Sequence, residues 1–255
     1  MSRPLRSYAM YTGIWRDPLP WTAAAFVALV FGMPALRPLF AAAFPSLERP
    51  FYAGASFPSL VAAHLELVFA SSAAAVLVAV PAGIFVTRRA GAEFRGVIET
   101  LVATGQTFPP AAVLALTVPL IGFGAWPALI ALTLYGLLPI VENTVAGLEA
   151  VPPDSLEAGR GLGMTGRQLL LKVELPLAAP VLVAGIRTSV IINLGTAAIA
   201  STVGVRTLGV PIILGLIGAN IAYVLQGSVL VALLAVVLDL AFERLARALA
   251  RWREA

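Results

Sequence analysis

The sequence predicts an all-α polytopic membrane protein of about six transmembrane helices, and three observations carry that reading. Of the 255 residues, 60% are hydrophobic and only 12% are charged, against roughly 25% charged in a soluble domain. The apolar residues gather in runs close to the ~20 that a helix needs to cross a bilayer core. The arginines flank those runs instead of forming a patch, which is the signature of membrane orientation and not of nucleic-acid binding. The lipid bilayer is therefore the first expected partner, and no nucleic-acid partner is expected.

Residues 1–20 carry charge but no apolar core ending in a small-residue cleavage site, so they read as a cytoplasmic tail. The run 21–40 has Pro34 and Arg37 where a signal peptide would end, and reads as a retained first helix. Further spans are expected at 60–86, 97–121, 126–147, 180–203 and 223–245. Pro109-Pro110 should break or kink the third, because proline removes a backbone donor. The stretch 208–221 is apolar but interrupted by Gly209, Pro211, Gly215 and Gly218, and is too short to span. It reads as a re-entrant element, tolerated only where protein or a cavity covers it. Residues 21–255 thus form one transmembrane domain without internal repeats.

Charge sets the orientation. Arg3, Arg6 and Arg16 lie in the N-terminal tail, and Arg88, Arg89 and Arg95 in the second connection. Arg160, Arg167 and Lys172 lie in the fourth connection, and Arg244, Arg247, Arg251 and Arg253 at the C-terminus. An even number of spans puts all four groups on one side, against Arg37, Arg49 and Arg206 on the other. The excess of basic residues marks the cytoplasmic face, so both termini are expected there, in an inner membrane. Trp15, Trp21, Phe51, Tyr52, Trp126, Tyr223 and Trp252 fall near span ends and read as aromatic belts.

The same residues exclude most chemistry. With no cysteine and one histidine, His64, thiolate and histidine-cluster metal sites are ruled out. A phosphate-binding loop needs Gly-Lys-Ser/Thr, and the only lysine, Lys172, stands between Leu171 and Val173. No paired carboxylates sit in a soluble cleft and no Gly-x-Ser-x-Gly elbow is present. The chain is expected to have no catalytic residue and no cofactor of its own.

The fourth connection, about 149–179, is the longest polar stretch between spans. Pro152-Pro153 stops the fourth helix. Asp154 with Glu157 three residues on has the spacing of a capping box, predicting a short helix over 155–162. Gly163 can end it in the left-handed conformation. A second helical piece over 166–174 is expected to stop at Leu175-Pro176. Leu156, Leu162 and Arg160 would offer an apolar side to a groove on a soluble partner.

Glu157-Ala158-Gly159, three residues, Gly163, nine residues, then Val173-x-Leu175-Pro176 resembles the EAA loop of ABC importer permeases. Two positions depart from the family pattern: Gly159 stands for alanine and Val173 for isoleucine. Gln106-Thr107-Phe108-Pro109, Gly122-Phe123-Gly124, Leu138-Pro139, Asn143-Thr144, Asn193-Leu194-Gly195-Thr196 and Thr207-Leu208-Gly209 extend the resemblance. They are similar to the osmoprotectant branch, the permeases of glycine betaine, choline and carnitine importers, and among these to the Yeh-type glycine betaine importers. The resemblance implies the MetI-like fold and a coupling contact with a separate ABC ATPase, which binds ATP and Mg. That contact would use Glu157, Ala158, Gly159, Gly163, Leu175 and Pro176. It also implies a second permease subunit, identical or homologous, and a separate extracytoplasmic substrate-binding protein. Relatives often carry a basic residue before the Asn-Thr pair, where this chain has Glu142.

Polar residues inside spans either join helices or line a path. Gln106, Thr107, Asn143, Asn193 and Thr196 are the candidate path residues, with Gly195 offering a small surface beside Asn193. Arg187 either snorkels or pairs with Glu142 or Asp239, while His64 and Glu66 are expected on a wetted outer surface. Two other readings compete: a permease of the same fold for another small solute such as an amino acid, and an ATPase-independent carrier. The latter calls for inverted repeats and mid-membrane carboxylates, which the sequence does not display.

Overall fold

The computed structural model describes residues 17–251. Two short helices open it. Helix α1 (Pro18–Gly32) is capped by the Asp17 carboxylate, which accepts from the Leu19 N–H at 3.0 Å. A 3₁₀ turn joins it to α2 (Arg37–Ala43), and together they make one apolar segment long enough to cross a membrane. After an irregular loop, Ser56 caps α3 (Phe57–Val86), whose 30 residues rise about 45 Å.

The third predicted span is not one rod. Helices α4 (Arg95–Thr107) and α5 (Pro110–Ile121) meet at 91°. Pro110 forces the residue before it, Pro109, into extended geometry (φ −57°, ψ 132°), and Pro109 does the same to Phe108. Two consecutive extended residues turn the chain, which a single kinking proline would not do. Among the described residues there are thus five long apolar helical segments plus this bent pair.

Helix α6 (Ala125–Glu149) is the centre of the bundle, lying between α3 and α9 (Leu175–Thr196). Small residues make that seam. A Cβ on Gly136 of α6 would stand 2.5 Å from the Ser189 hydroxyl, and one on Gly185 of α9 would stand 2.6 Å from the Pro139 carbonyl. With little hydrophobic drive between helices in lipid, such close backbone approach is what holds them. Around the seam, Leu132, Ile140, Val141, Val190 and Leu194 are all fully buried.

Beyond α9 a 3₁₀ turn (Ala197–Val203) leads to the short α10 (Gly209–Ile217) and then to α11 (Ile221–Arg251). The stretch 208–221 is thus a half-span that turns back into α11, as its length requires. Its corner is tied to the loop before α3. The Asn220 amide donates to the Arg49 carbonyl at 2.8 Å, and Gln226 both donates to the Pro50 carbonyl and accepts from the Tyr52 N–H.

Some expectations change here. Trp21 and Trp126 are exposed, as belt residues are, but Tyr52 is buried edge-on against Phe57 and Tyr223. Burial pushes its hydroxyl pKa up. His64 is not wetted. It is fully buried, and its Nε2–H donates to the Leu194 carbonyl at 3.0 Å. Glu66, two residues on, is exposed. Trp15, Trp252, Arg3, Arg6, Arg16 and Arg253 lie outside the described residues.

Candidate docking loop and polar seam

The fourth connection folds as a helix–turn–helix at one end of the bundle. Helix α7 (Pro153–Gly161) begins two residues earlier than the sequence predicts. Pro152 takes the N-cap position and no side chain caps it, so Asp154 sits in the first turn instead. There it still favours the positive end of the helix dipole. The reciprocal capping box occurs one helix later, where Thr165 and Gln168 satisfy each other's backbone at the start of α8 (Gly166–Leu169). The Thr-x-x-Gln spacing of Thr165 and Gln168 is the sequence signal for this box.

Gly163 does take the left-handed conformation, at φ 77°. Its N–H reaches the Arg160 carbonyl at 2.9 Å, and the Met164 N–H reaches Gly159 at 3.1 Å. These bonds reverse the chain sharply between α7 and α8.

The helical path does not stop at Leu175-Pro176. It passes through one π turn, Leu170–Glu174, and runs directly into α9. The Leu175 N–H bonds back to the Leu170 carbonyl, five residues away. Proline has no N–H and its ring crowds the carbonyl four residues before it. Widening the preceding turn relieves that crowding, so Pro176 is accommodated within the continuous helical path.

The candidate docking-loop residues divide by exposure. Glu157, Ala158 and Gly163 are on the surface, beside Leu162 at 79% and Leu171 at 52% exposure. Gly159 is instead buried: a Cβ there would meet the Leu169 methyl at 2.6 Å. The glycine that departs from the EAA pattern therefore admits Leu169 beneath α7. Leu175 and Pro176 are half-buried. Leu156, Leu170 and Leu175 join Leu148, Val151 and Ala178 in a small apolar cluster that roots the loop on α6 and α9.

Two ion-pair groups surround this root. Arg88, in the turn after α3, grips Glu174 of the π turn with both terminal guanidinium nitrogens, Nη1 at 3.0 Å. The Glu174 side chain is only 9% exposed. Arg95 at the start of α4 bonds Glu99 at 2.8 Å and Glu149 at the end of α6 at 2.5 Å, but this group is solvent-facing. The same end of the molecule collects the start of α1 and the end of α11, where Asp17 and Arg244 stand 3.5 Å apart.

The candidate path residues separate likewise. Thr107 is exposed and Gln106 half-buried at the α4–α5 elbow. Asn143 is half-buried and folds back on its own helix, donating to the Pro139 carbonyl at 2.8 Å. Asn193 is fully buried, and its amide donates to the Ser72 and Ser71 hydroxyls at 3.2 and 3.4 Å. It joins α9 to α3 and lines no surface. Thr196 bonds the Ile192 carbonyl of its own helix at 2.9 Å. Gly195 is exposed with nothing near a Cβ, so it is not part of that contact. Arg187 makes a two-point ion pair with Asp239 of α11, at 2.6 and 2.5 Å, and Glu142 is exposed. Among the described residues no cluster of His, Asp or Glu has metal-binding geometry.

Residues 79–253 match the family of binding-protein-dependent transport system inner membrane components, and the chain belongs to it. It is 44% identical over 176 residues to the osmoprotectant import permease protein OsmY of Salmonella typhimurium, covering 69% of this chain and 75% of that one. It is also 44% identical over 177 residues to the choline transport system permease protein OpuBB of Bacillus subtilis, covering 69% and 80%. Among solved structures it resembles an inward-facing form of the MetNI methionine ABC transporter. There the TM-score is 0.67 at 27% identity, over 75% of this chain and 94% of that one. The fold is MetI-like, and ATP hydrolysis in such systems belongs to a separate subunit.

Proposed function

We propose that this permease carries quaternary ammonium osmoprotectants such as glycine betaine or choline inward, driven by a separate ABC ATPase that docks on residues 153–174. The single observation behind the coupling is the exposed α7–turn–α8 element, with EAA spacing, seated on a buried root. The substrate class is supported by relatives whose names state it. Both termini and the docking loop then face the cytoplasm, in keeping with the basic residues gathered there.

The assembly this reading calls for has a second permease subunit, identical or homologous, and an extracytoplasmic binding protein. A quaternary ammonium solute keeps its positive charge at every pH and cannot cross an apolar core unaided. The binding protein would hold that cation by cation–π attraction. The permease supplies a wetted path without a deep well, since a tight site would slow release. Gln106 and Thr107, at the exposed elbow, are the best-placed polar groups for that path, whereas Asn193 is buried between α9 and α3.

The test is uptake in proteoliposomes containing the permease, its ATPase and its binding protein, offered labelled glycine betaine, choline or methionine. We expect ATP-dependent uptake of the first two. Uptake of methionine alone would establish the amino-acid reading that the MetNI likeness favours. Uptake without the ATPase would establish a secondary carrier.

A further inference from the structure

The docking loop is covalently joined to α6 on one side and α9 on the other, but α3 touches it only through space. We propose that the Arg88–Glu174 pair is the strut that makes α3 move with the loop, so that α3 and α9 tilt as one lever when the ATPase pulls. This rests on the docking assignment made above.

Four observations carry it. First, Glu174 lies in the π turn, between the docking helices and α9, so any displacement of α7–α8 reaches it before the long helix. Second, the contact is a two-point guanidinium–carboxylate fork, which fixes direction as well as distance. Third, the carboxylate is buried, so water cannot replace the partner cheaply. Among the described residues no other ion pair ties α3 to the α6–α9 connection. Fourth, the Arg88 end is itself rigid. The Arg88 N–H bonds the Phe85 carbonyl, while Gly91 and Ala92 both donate to the Arg88 carbonyl at 2.9 Å.

The lever is closed at two further depths. Asn193 holds Ser71 and Ser72 in mid-helix, and His64 holds the Leu194 carbonyl near the far end. The α4–α5 elbow shares none of these clamps. Pulling on the loop should therefore swing α3 and α9 together past the elbow, which is where the exposed polar residues lie. Arg88 and Glu174 act in this as positioning residues, since neither touches solute or nucleotide.

The experiment compares solute taken up per ATP hydrolysed in the full reconstituted complex, using whichever solute the natural chain transports. Expected for Glu174→Gln and for Arg88→Gln is ATP hydrolysis that continues while uptake per ATP falls about tenfold, the size of an ordinary inter-site coupling. The double variant should be no worse than either single change, because both remove one contact. A Glu174→Gln complex with the natural ratio overturns the proposal, as does a double variant whose losses multiply. Should Glu174→Gln fail to assemble, Arg88→Lys keeps the charge but loses the fork. In assembled Arg88→Lys complexes a reduced ratio supports the strut and an unchanged one refutes it. If the natural chain transported nothing, the functional reading would fail instead.

Discussion

Gly163 is the residue on which the turn between α7 and α8 depends. Its φ of 77° lies where L side chains pay roughly 1–2 kcal/mol, yet nothing surrounds a Cβ there. Aspartate and asparagine tolerate this conformation better than other residues. Gly163→Asp should therefore leave a folded permease in the membrane while placing a charge on the docking face. We expect uptake to be lost with permease levels unchanged by immunoblot. Gly163→Asn, equal in shape but uncharged, should retain most of the activity. If both variants transport normally, the face is not a docking surface. Gly159, on the α7 helix just before that turn, faces the other way. By pattern it belongs with Glu157 and Ala158, but only geometry reveals that it faces inward under Leu169.

At the scale of elements, α9 and α11 share a charge pair within their apolar lengths. Arg187 and Asp239 lie at 33% and 42% side-chain exposure and meet at two points. An unpaired arginine at mid-helix costs about 3 kcal/mol on insertion scales, and pairing is the cheaper solution. Asp239→Asn should lower the thermal unfolding temperature of the purified permease in detergent, by an amount equivalent to at most about 3 kcal/mol. Arg187→Leu/Asp239→Leu should recover most of that loss, because no charge remains to be compensated. Recovery failing in the double variant would mean that packing, not charge, is what the pair provides. The bent pair α4–α5 makes the complementary point. Pro109-Pro110 announces a break in the sequence, and the two extended residues Phe108 and Pro109 make it a 91° turn, after which α5 lies against α6.

For the whole molecule, the decisive question is which end faces the cytoplasm. The structure gathers the start of α1, the end of α3, the docking loop and the end of α11 at one end. Alkaline phosphatase fused after Ala255 should be inactive and a fluorescent protein there should be bright. A phosphatase inserted in the loop between α2 and α3 should be active. The opposite pattern would place the loop outside and remove its ATPase.

Composition and run length alone determined that the chain is helical and membrane-embedded. The reason is that lipid forces every backbone group to be satisfied within its own helix. The left-handed turn at Gly163 was equally legible, since such a glycine is a local property of the chain. Which polar residues face inward was decided only by tertiary structure. Asn193 and Arg187 look alike in sequence, as polar groups in one apolar span, yet one clamps α3 from within and the other reaches α11. Glu174 reads as an unremarkable position in a motif until Arg88, 86 residues earlier, closes on it. Partners that far apart are chosen by helix packing in three dimensions, which no local pattern encodes.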